Sequence, residues 1–162
     1  MKIAVISDTH DNLDRIDACI EKMKEVQVVL HCGDLCAPFV IKRLGEKLEG
    51  IPIHVVWGNN EGDTFMISKV AANFEHVYLH GELAELDLGG LRIAVNHYPR
   101  IAQGLARSGL YDLVCYGHDH TAHTEDINGC TLLNPGEILG MNGPSTFAIF
   151  DTETREVEQL EV

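Results

Sequence analysis

Seven residues in this chain could do metal chemistry: Asp8, His10, Asp34, Asn59, His97, His118 and His120. Each lies just beyond an apolar run, and each offers a carboxylate or amide oxygen or an imidazole nitrogen. Such donors suit a borderline divalent cation such as manganese, iron, zinc or nickel. They are too many for one ion but enough for two that share a carboxylate. Two-metal hydrolytic sites hold their ions about 3.5–4 Å apart. The first pair sits in Ser7-Asp8-Thr9-His10. In an extended segment residues i and i+2 point to the same side, so Asp8 and His10 can leave a strand end together. Gly33, Gly58 and Gly117 lie beside donors, where a tight turn favours a residue without a side chain.

The elements that must position these donors read as strands and helices in alternation. Lys2–Ile6 is a short apolar run, read as a buried strand. Leu13, Ile16, Ile20 and Met23 recur at helical spacing, which predicts a helix from Leu13 to Lys24. Val28–His31 and Ile53–Trp57 are the next strands. Pro38 opens a second helix, and Asp63 caps a third from Thr64 to Asn73, apolar at Phe65, Met66 and Val70. Such alternation implies a parallel sheet. Gly89-Gly90 then joins Leu83–Leu88 to Leu91–Val95 as a hairpin. Pro99–Ser108 is a helix closed by Gly109, and Leu113–Tyr116 is a strand. From His123 the pattern is all-β, with turns at Asn128-Gly129 and at 151–154. The expectation is one domain over residues 1–162, with two facing sheets covered by helices. In open α/β sheets, sites lie beyond the carboxyl ends of the strands, where the donors are.

Composition narrows the function. Twelve basic against 25 acidic residues give a net charge of −13, which argues against non-specific nucleic-acid binding. A small phosphorylated ligand stays open, because bound cations can reverse the local field. No apolar run approaches a membrane span, and no leader pattern is visible. Five cysteines without a Cys-x-x-Cys pair read as reduced thiols in a cytoplasmic protein. His31 and His54 sit inside apolar strands and read as core or supporting histidines, while His76 and His80 read as solvated. A homo-oligomer is left open.

Asp8-x-His10, Gly33-Asp34, Gly58-Asn59-x-Glu61, His97 and Gly117-His118-x-His120, in this order, resemble the signature of calcineurin-like metallophosphoesterases. The length, the opening Ser-Asp-Thr-His and the late Asn134-Pro135-Gly136 are similar to the family's small bacterial and archaeal phosphodiesterase branch. The resemblance spans essentially the whole chain. It implies a four-layer α-β-β-α sandwich and a phosphodiesterase using two divalent transition metals, with manganese the first expectation. It further implies that Asp8, His10 and His120 hold one metal, that Asp34 bridges, and that Asn59, His97 and His118 complete the second. A hydroxide between the ions would attack phosphorus in line. Two dications, two aspartates and one hydroxide leave roughly +1, which suits a phosphodiester monoanion.

The sequence departs from the family pattern at three positions. Asn60 stands where a His usually protonates the leaving group, so substrates with poor leaving groups are the ones in doubt. Tyr98 follows His97 where Gly is frequent, and either packs on the helix start or narrows the substrate pocket. Glu137 stands where Ser is usual, and would repel an anion if it faced the site. Asn59, Asn60, Tyr98 and His123 are the expected substrate contacts, and Arg100 is a candidate for a phosphate oxygen. The family also resembles a retromer subunit that uses this fold as a non-enzymatic scaffold; a scaffold is free to lose ligands, and here none is missing. A nucleotide or flavin module lacks support, because there is no Gly-x-Gly-x-x-Gly or Walker loop.

Overall fold

The computed structural model describes residues 1–162. In chain order the elements are β1 (Lys2–Ile6), α1 (Leu13–Lys22), β2 (Val28–His31), α2 (Pro38–Lys47), β3 (Ile53–Val55), α3 (Thr64–Ala71), β4 (Val77–Leu79), β5 (Leu83–Leu88), β6 (Leu91–Asn96), α4 (Pro99–Arg107), β7 (Leu113–Cys115), β8 (His123–Ile127), β9 (Cys130–Asn134), β10 (Thr146–Asp151) and β11 (Val157–Glu161). They form two sheets, ordered β11-β10-β1-β2-β3-β4 and β5-β6-β7-β9-β8. β1 to β4 run parallel, and β10 pairs antiparallel with β1, so β1 is central. In the second sheet β6, β7 and β9 are parallel, flanked by antiparallel β5 and β8.

Strand alternation sorts the side chains into layers. Ala4, Ile6 and Val29 join Ile16, Ile41, Leu44 and Ile67 in a core between the first sheet and α1–α3. Ile3, Val5 and Leu30 point the other way and pack with Ile93, Val95 and Leu113 between the sheets. Ala94, Val114 and Leu132 meet Ala102 and Ala106 of α4 on the far side. The small alanines let α4 sit close to its sheet. The result is the expected four-layer α-β-β-α sandwich, and the carboxyl ends of β1, β2, β3, β6 and β7 open on one edge of it.

Several boundaries differ from the sequence reading. α1 ends at Lys22, because Glu25 turns the chain with φ 63°. α3 ends at Ala71, where the Asn73 side chain donates to the Lys69 and Val70 carbonyls. Its buried face is Ile67 and Ala71; Phe65 and Met66 are exposed, 66 % and 41 %. The helix is apolar on more than one side, so spacing alone did not single out its inner face. β4 was not anticipated: it is three residues long and lies at the sheet edge. Its neighbours remove two histidines from free solvent. His54 Nδ1 lies 2.9 Å from His80 Nε2, and the His54 ring stacks on Tyr78. His76 Nε2 meets the Gly45 carbonyl at 3.1 Å.

Candidate metal centre

Five of the candidate donors sit in left-handed backbone: Asp8 (φ 52°), His10 (38°), Asp34 (58°), His118 (78°) and His120 (57°). Outside glycine this conformation is uncommon and costs of order 1 kcal/mol per residue. β1, β2 and β7 thus end in sharp turns that throw these donors toward the gap between the sheets. Two glycines permit the close approach. A methyl group at Gly58 would overlap Asp34 Oδ1, and one at Gly117 would overlap Ser7 Oγ. The second sheet's loop is also pinned directly to the first, since the His118 N–H donates to Asp8 Oδ2 at 3.1 Å.

The donors converge as two clusters that meet at Asp34. In one, Asp8 Oδ1 lies 3.2 Å from His120 Nε2 and 3.8 Å from His10 Nε2, and His10 Nε2 lies 3.5 Å from Asp34 Oδ2. In the other, His97 Nε2 lies 3.4 Å from Asp34 Oδ1, 3.1 Å from Asn59 Oδ1 and 3.3 Å from His118 Nδ1. Asn59 Oδ1 and His118 Nδ1 are 2.8 Å apart. Asp34 therefore presents a different oxygen to each cluster. All seven residues singled out in the sequence are here.

The residues fit divalent cations. Asp8 Oδ1 and His10 Nε2 are buried and have no hydrogen-bond partner, an arrangement that is costly unless a cation or proton lies between them. The ring nitrogens on the far side are committed. His97 Nδ1 donates to the Cys32 carbonyl at 2.8 Å, which leaves its Nε2 lone pair facing the cluster. His120 Nδ1 donates to Glu137 Oε2 at 2.6 Å, with the same result. Such outer hydrogen bonds fix the tautomer that ligates. His10 feels the same field. The adjacent Asp8, then Asp34 and Glu61, raise its pKa against the opposing effect of burial. For Asp8, burial pushes the carboxyl up, but His10, Ser7, His97 and His120 outweigh it and leave the pKa lowered.

Two carboxylates that support the site have roles the sequence did not announce. Glu61 binds backbone rather than a cluster donor. Its Oε1 accepts from the N–H groups of Asp34 and Gly58 at 2.8 Å, and its Oε2 from those of Leu35 and Cys36 at 3.0 Å. One side chain thereby ties the β2 and β3 loops together. Glu137 does not face a substrate: it is buried behind His120, and its Oε1 accepts from the Asn142 N–H at 2.5 Å. The one available signal was a carboxylate set between the turn Asn134-Pro135-Gly136 and apolar Ile138.

The other expected residues divide. The Asn60 side chain is exposed and lies 3.1 Å from His10 Nδ1, while its N–H donates to Asp34 Oδ1 at 2.8 Å. Tyr98 caps α4 and also stands edge-on to His97, with ring centroids 5.1 Å apart, and against His118 at 5.4 Å. His123 is exposed at the start of β8, beside Glu125 at 3.6 Å. Arg100 is exposed on the first turn of α4. His31 is fully buried. It accepts from the Gly33 N–H and reaches Thr9 Oγ1 at 3.1 Å, and burial holds its pKa down at about 4. Cys36 lies 3.4 Å from His10, but burial and then the carboxylates of Asp11, Glu61, Asp34 and Asp8 push its pKa up to about 12, so it stays a thiol.

Comparison with known proteins agrees with this fold. The model of the calcineurin-like phosphoesterase superfamily domain matches residues 1–155, and the chain belongs to that superfamily. Membership places it among metal-dependent phosphoesterases, which use divalent metals. A phosphodiesterase of Methanocaldococcus jannaschii is 31 % identical over 167 residues, covering 99 % of this chain and 98 % of that protein. A probable metallophosphoesterase of Bacillus subtilis is 28 % identical, covering 99 % and 97 %. Among solved structures, an archaeal phosphodiesterase superposes with a TM-score of 0.91 at 33 % identity over the full length of both chains. Vps29 of Entamoeba histolytica gives 0.68 at 21 % identity, covering 99 % of each chain, a likeness of fold. No helix here is long and apolar enough to cross a membrane.

Proposed function

We propose that this chain is a two-cation phosphodiesterase acting on small phosphodiesters. The observation that carries the reading is Asp34, whose two oxygens face separate clusters, 3.5 Å from His10 Nε2 and 3.4 Å from His97 Nε2. Asp8, His10, His120 and Asp34 Oδ2 would hold one cation, and Asp34 Oδ1, Asn59, His97 and His118 the other. Bound there, the cations would polarise phosphoryl oxygens and acidify a water enough to serve as nucleophile near neutral pH.

The chain's own residues do the positioning. Asp34 is held by the Asn60 N–H, and its loop by Glu61, so the shared carboxylate cannot swing toward one side. Tyr98 and His118 wall the second cluster and limit the width of a bound ester. Asn59 and Asn60, both exposed at the mouth, can meet phosphoryl and leaving-group oxygens. Asn60 offers a hydrogen bond there but no titrating proton. His123 is assigned the outer part of the ester. Charge favours a diester. The buried Glu137 would take the net charge of the loaded site from roughly +1 to about 0, so a diester monoanion would leave less uncompensated charge there than a monoester dianion.

The experiment is elemental analysis of reconstituted protein, with a panel of phosphodiesters and monoesters. About two transition-metal ions per chain and preference for diesters are expected. Trace metal in a folded, reconstituted sample would end the enzymatic reading and favour a scaffold.

A further inference from the structure

We infer that Glu137 is a positioning residue that fixes the ligating tautomer of His120 and makes the cluster of Asp8, His10 and His120 the tighter of the two cation sites. The inference rests on the two-cation reading and goes beyond it. Of the four imidazoles, only His120 is backed by a carboxylate. Its Nδ1 lies 2.6 Å from Glu137 Oε2. His97 is backed by the neutral Cys32 carbonyl, His10 by the neutral Asn60 amide, and His118 projects from an exposed position.

The contact is built in. Glu137 is 1 % exposed, and its second oxygen accepts from the Asn142 N–H. Asn142 also brings its side-chain amide to 3.3 Å from His120 Nδ1, so the segment after Glu137 folds back over the ring. Glu137 anchors the strand that follows as well, since its carbonyl accepts from the Thr146 N–H at 2.8 Å. A buried anion that accepts the Nδ1 proton increases electron density at Nε2, the nitrogen facing Asp8 Oδ1 at 3.2 Å. The imidazole becomes a stronger donor, and the ring cannot rotate without leaving a buried carboxylate unpaired. The other cluster has one carboxylate, Asp34, and a neutral amide ligand, Asn59. The chain thus makes two unlike sites from a similar number of donors.

The test uses chelator-stripped protein titrated with Mn²⁺ by calorimetry. The wild-type chain should show two binding steps of unequal affinity. Glu137→Gln should weaken the tighter step by about 10–100-fold, the range for loss of such an outer partner, and leave the weaker step within about threefold. The same loss should appear in a His97→Ala background, where only the first site remains. Equal weakening of both steps, or an unchanged tight step with the metal-free melting temperature unaltered, would overturn the inference while leaving the two-cation reading intact. Absence of binding by the wild-type chain would remove both.

A second measurement needs no substitution. In the Zn²⁺-loaded wild-type protein, nitrogen-15 NMR should place the His120 proton on Nδ1, shifted further downfield than that of His97. A proton on Nε2 would overturn the inference even if the Gln variant failed to fold.

Discussion

The loops of the first sheet and those of the second support their donors differently. After β1, β2 and β3, the bracing side chains are ionisable. Glu61 accepts four backbone N–H groups, and His31 links Thr9 to Gly33. In the turns after β6 and β9, neutral amides hold the backbone, and the one bracing carboxylate, Glu137, backs the His120 ring. Asn96 accepts the Tyr98 N–H, and buried Asn134 donates to the Gly117 carbonyl and Asp119 while accepting the Gly136 N–H. Both carboxylates that face the gap, Asp8 and Asp34, come from the first sheet; the second contributes only imidazoles. The first sheet's loops thus supply both facing carboxylates, whereas the second sheet's loops supply imidazoles and keep their one bracing carboxylate, Glu137, buried behind His120.

The largest test of this division is Asp34→Asn. Because this side chain faces both clusters, the variant should lose both cations and about 10³-fold or more in kcat, equivalent to several kcal/mol of transition-state stabilisation. His97→Ala should empty only the second cluster. An Asp34→Asn protein that retains two full equivalents of metal would show that the halves do not share a carboxylate.

Next comes Glu61→Ala against Asn134→Ala, compared by urea denaturation in chelator. Removing Glu61 leaves several N–H groups without a partner and should cost about 2–4 kcal/mol, against about 1–3 for Asn134. Equal costs would erase the asymmetry of support.

The pH dependence follows from His31. Its folded-state pKa is about 4, held down by burial, against an ordinary value near 6.5. The unfolded chain therefore binds the proton first. The stability His31 contributes is full above about pH 6.5 and is lost as pH falls toward 4, by at most roughly 3 kcal/mol. The wild-type chain minus His31→Gln, melted in chelator across that window, should show this loss. A flat difference would mean that His31 is not held neutral.

The smallest effect concerns Asn60→His. An added general acid should raise activity on alkyl diesters by up to about 10²-fold and leave activated aryl esters nearly unchanged. An unaltered dependence of kcat on leaving-group pKa, at equal metal content, would place residue 60 away from the leaving oxygen.

What the sequence made legible was whatever repeats or punctuates. The apolar strands, the Gly89-Gly90 and Asn128-Gly129 turns and the Asp63 cap have local signatures, and the seven donors stand out because strand ends recur. What stayed hidden depends on contacts between distant loops. Nothing near Glu61 signals that it will accept N–H groups from residues 34–36. Glu137 could not be placed behind His120 without knowing that the chain turns back at Asn142. α3 misled because its exposed Phe65 and Met66 are as apolar as its buried Ile67.

The pairing of β10 with β1 has a consequence for how the protein is made. Lys2–Val5 align with residues 148–151, so the central strand lacks one neighbour until those residues, about 145 positions later, have been synthesised. At about 5–20 residues per second, the aspartate turn after β1 waits on the order of 10 s for that partner and for the histidines of the second sheet. During that interval the acidic loops exist without the imidazoles that would share a cation with them. On the two-cation reading, secure metal capture would therefore be a late event, and a ribosome-bound fragment ending before β7 should hold a divalent ion no better than an ordinary acidic peptide.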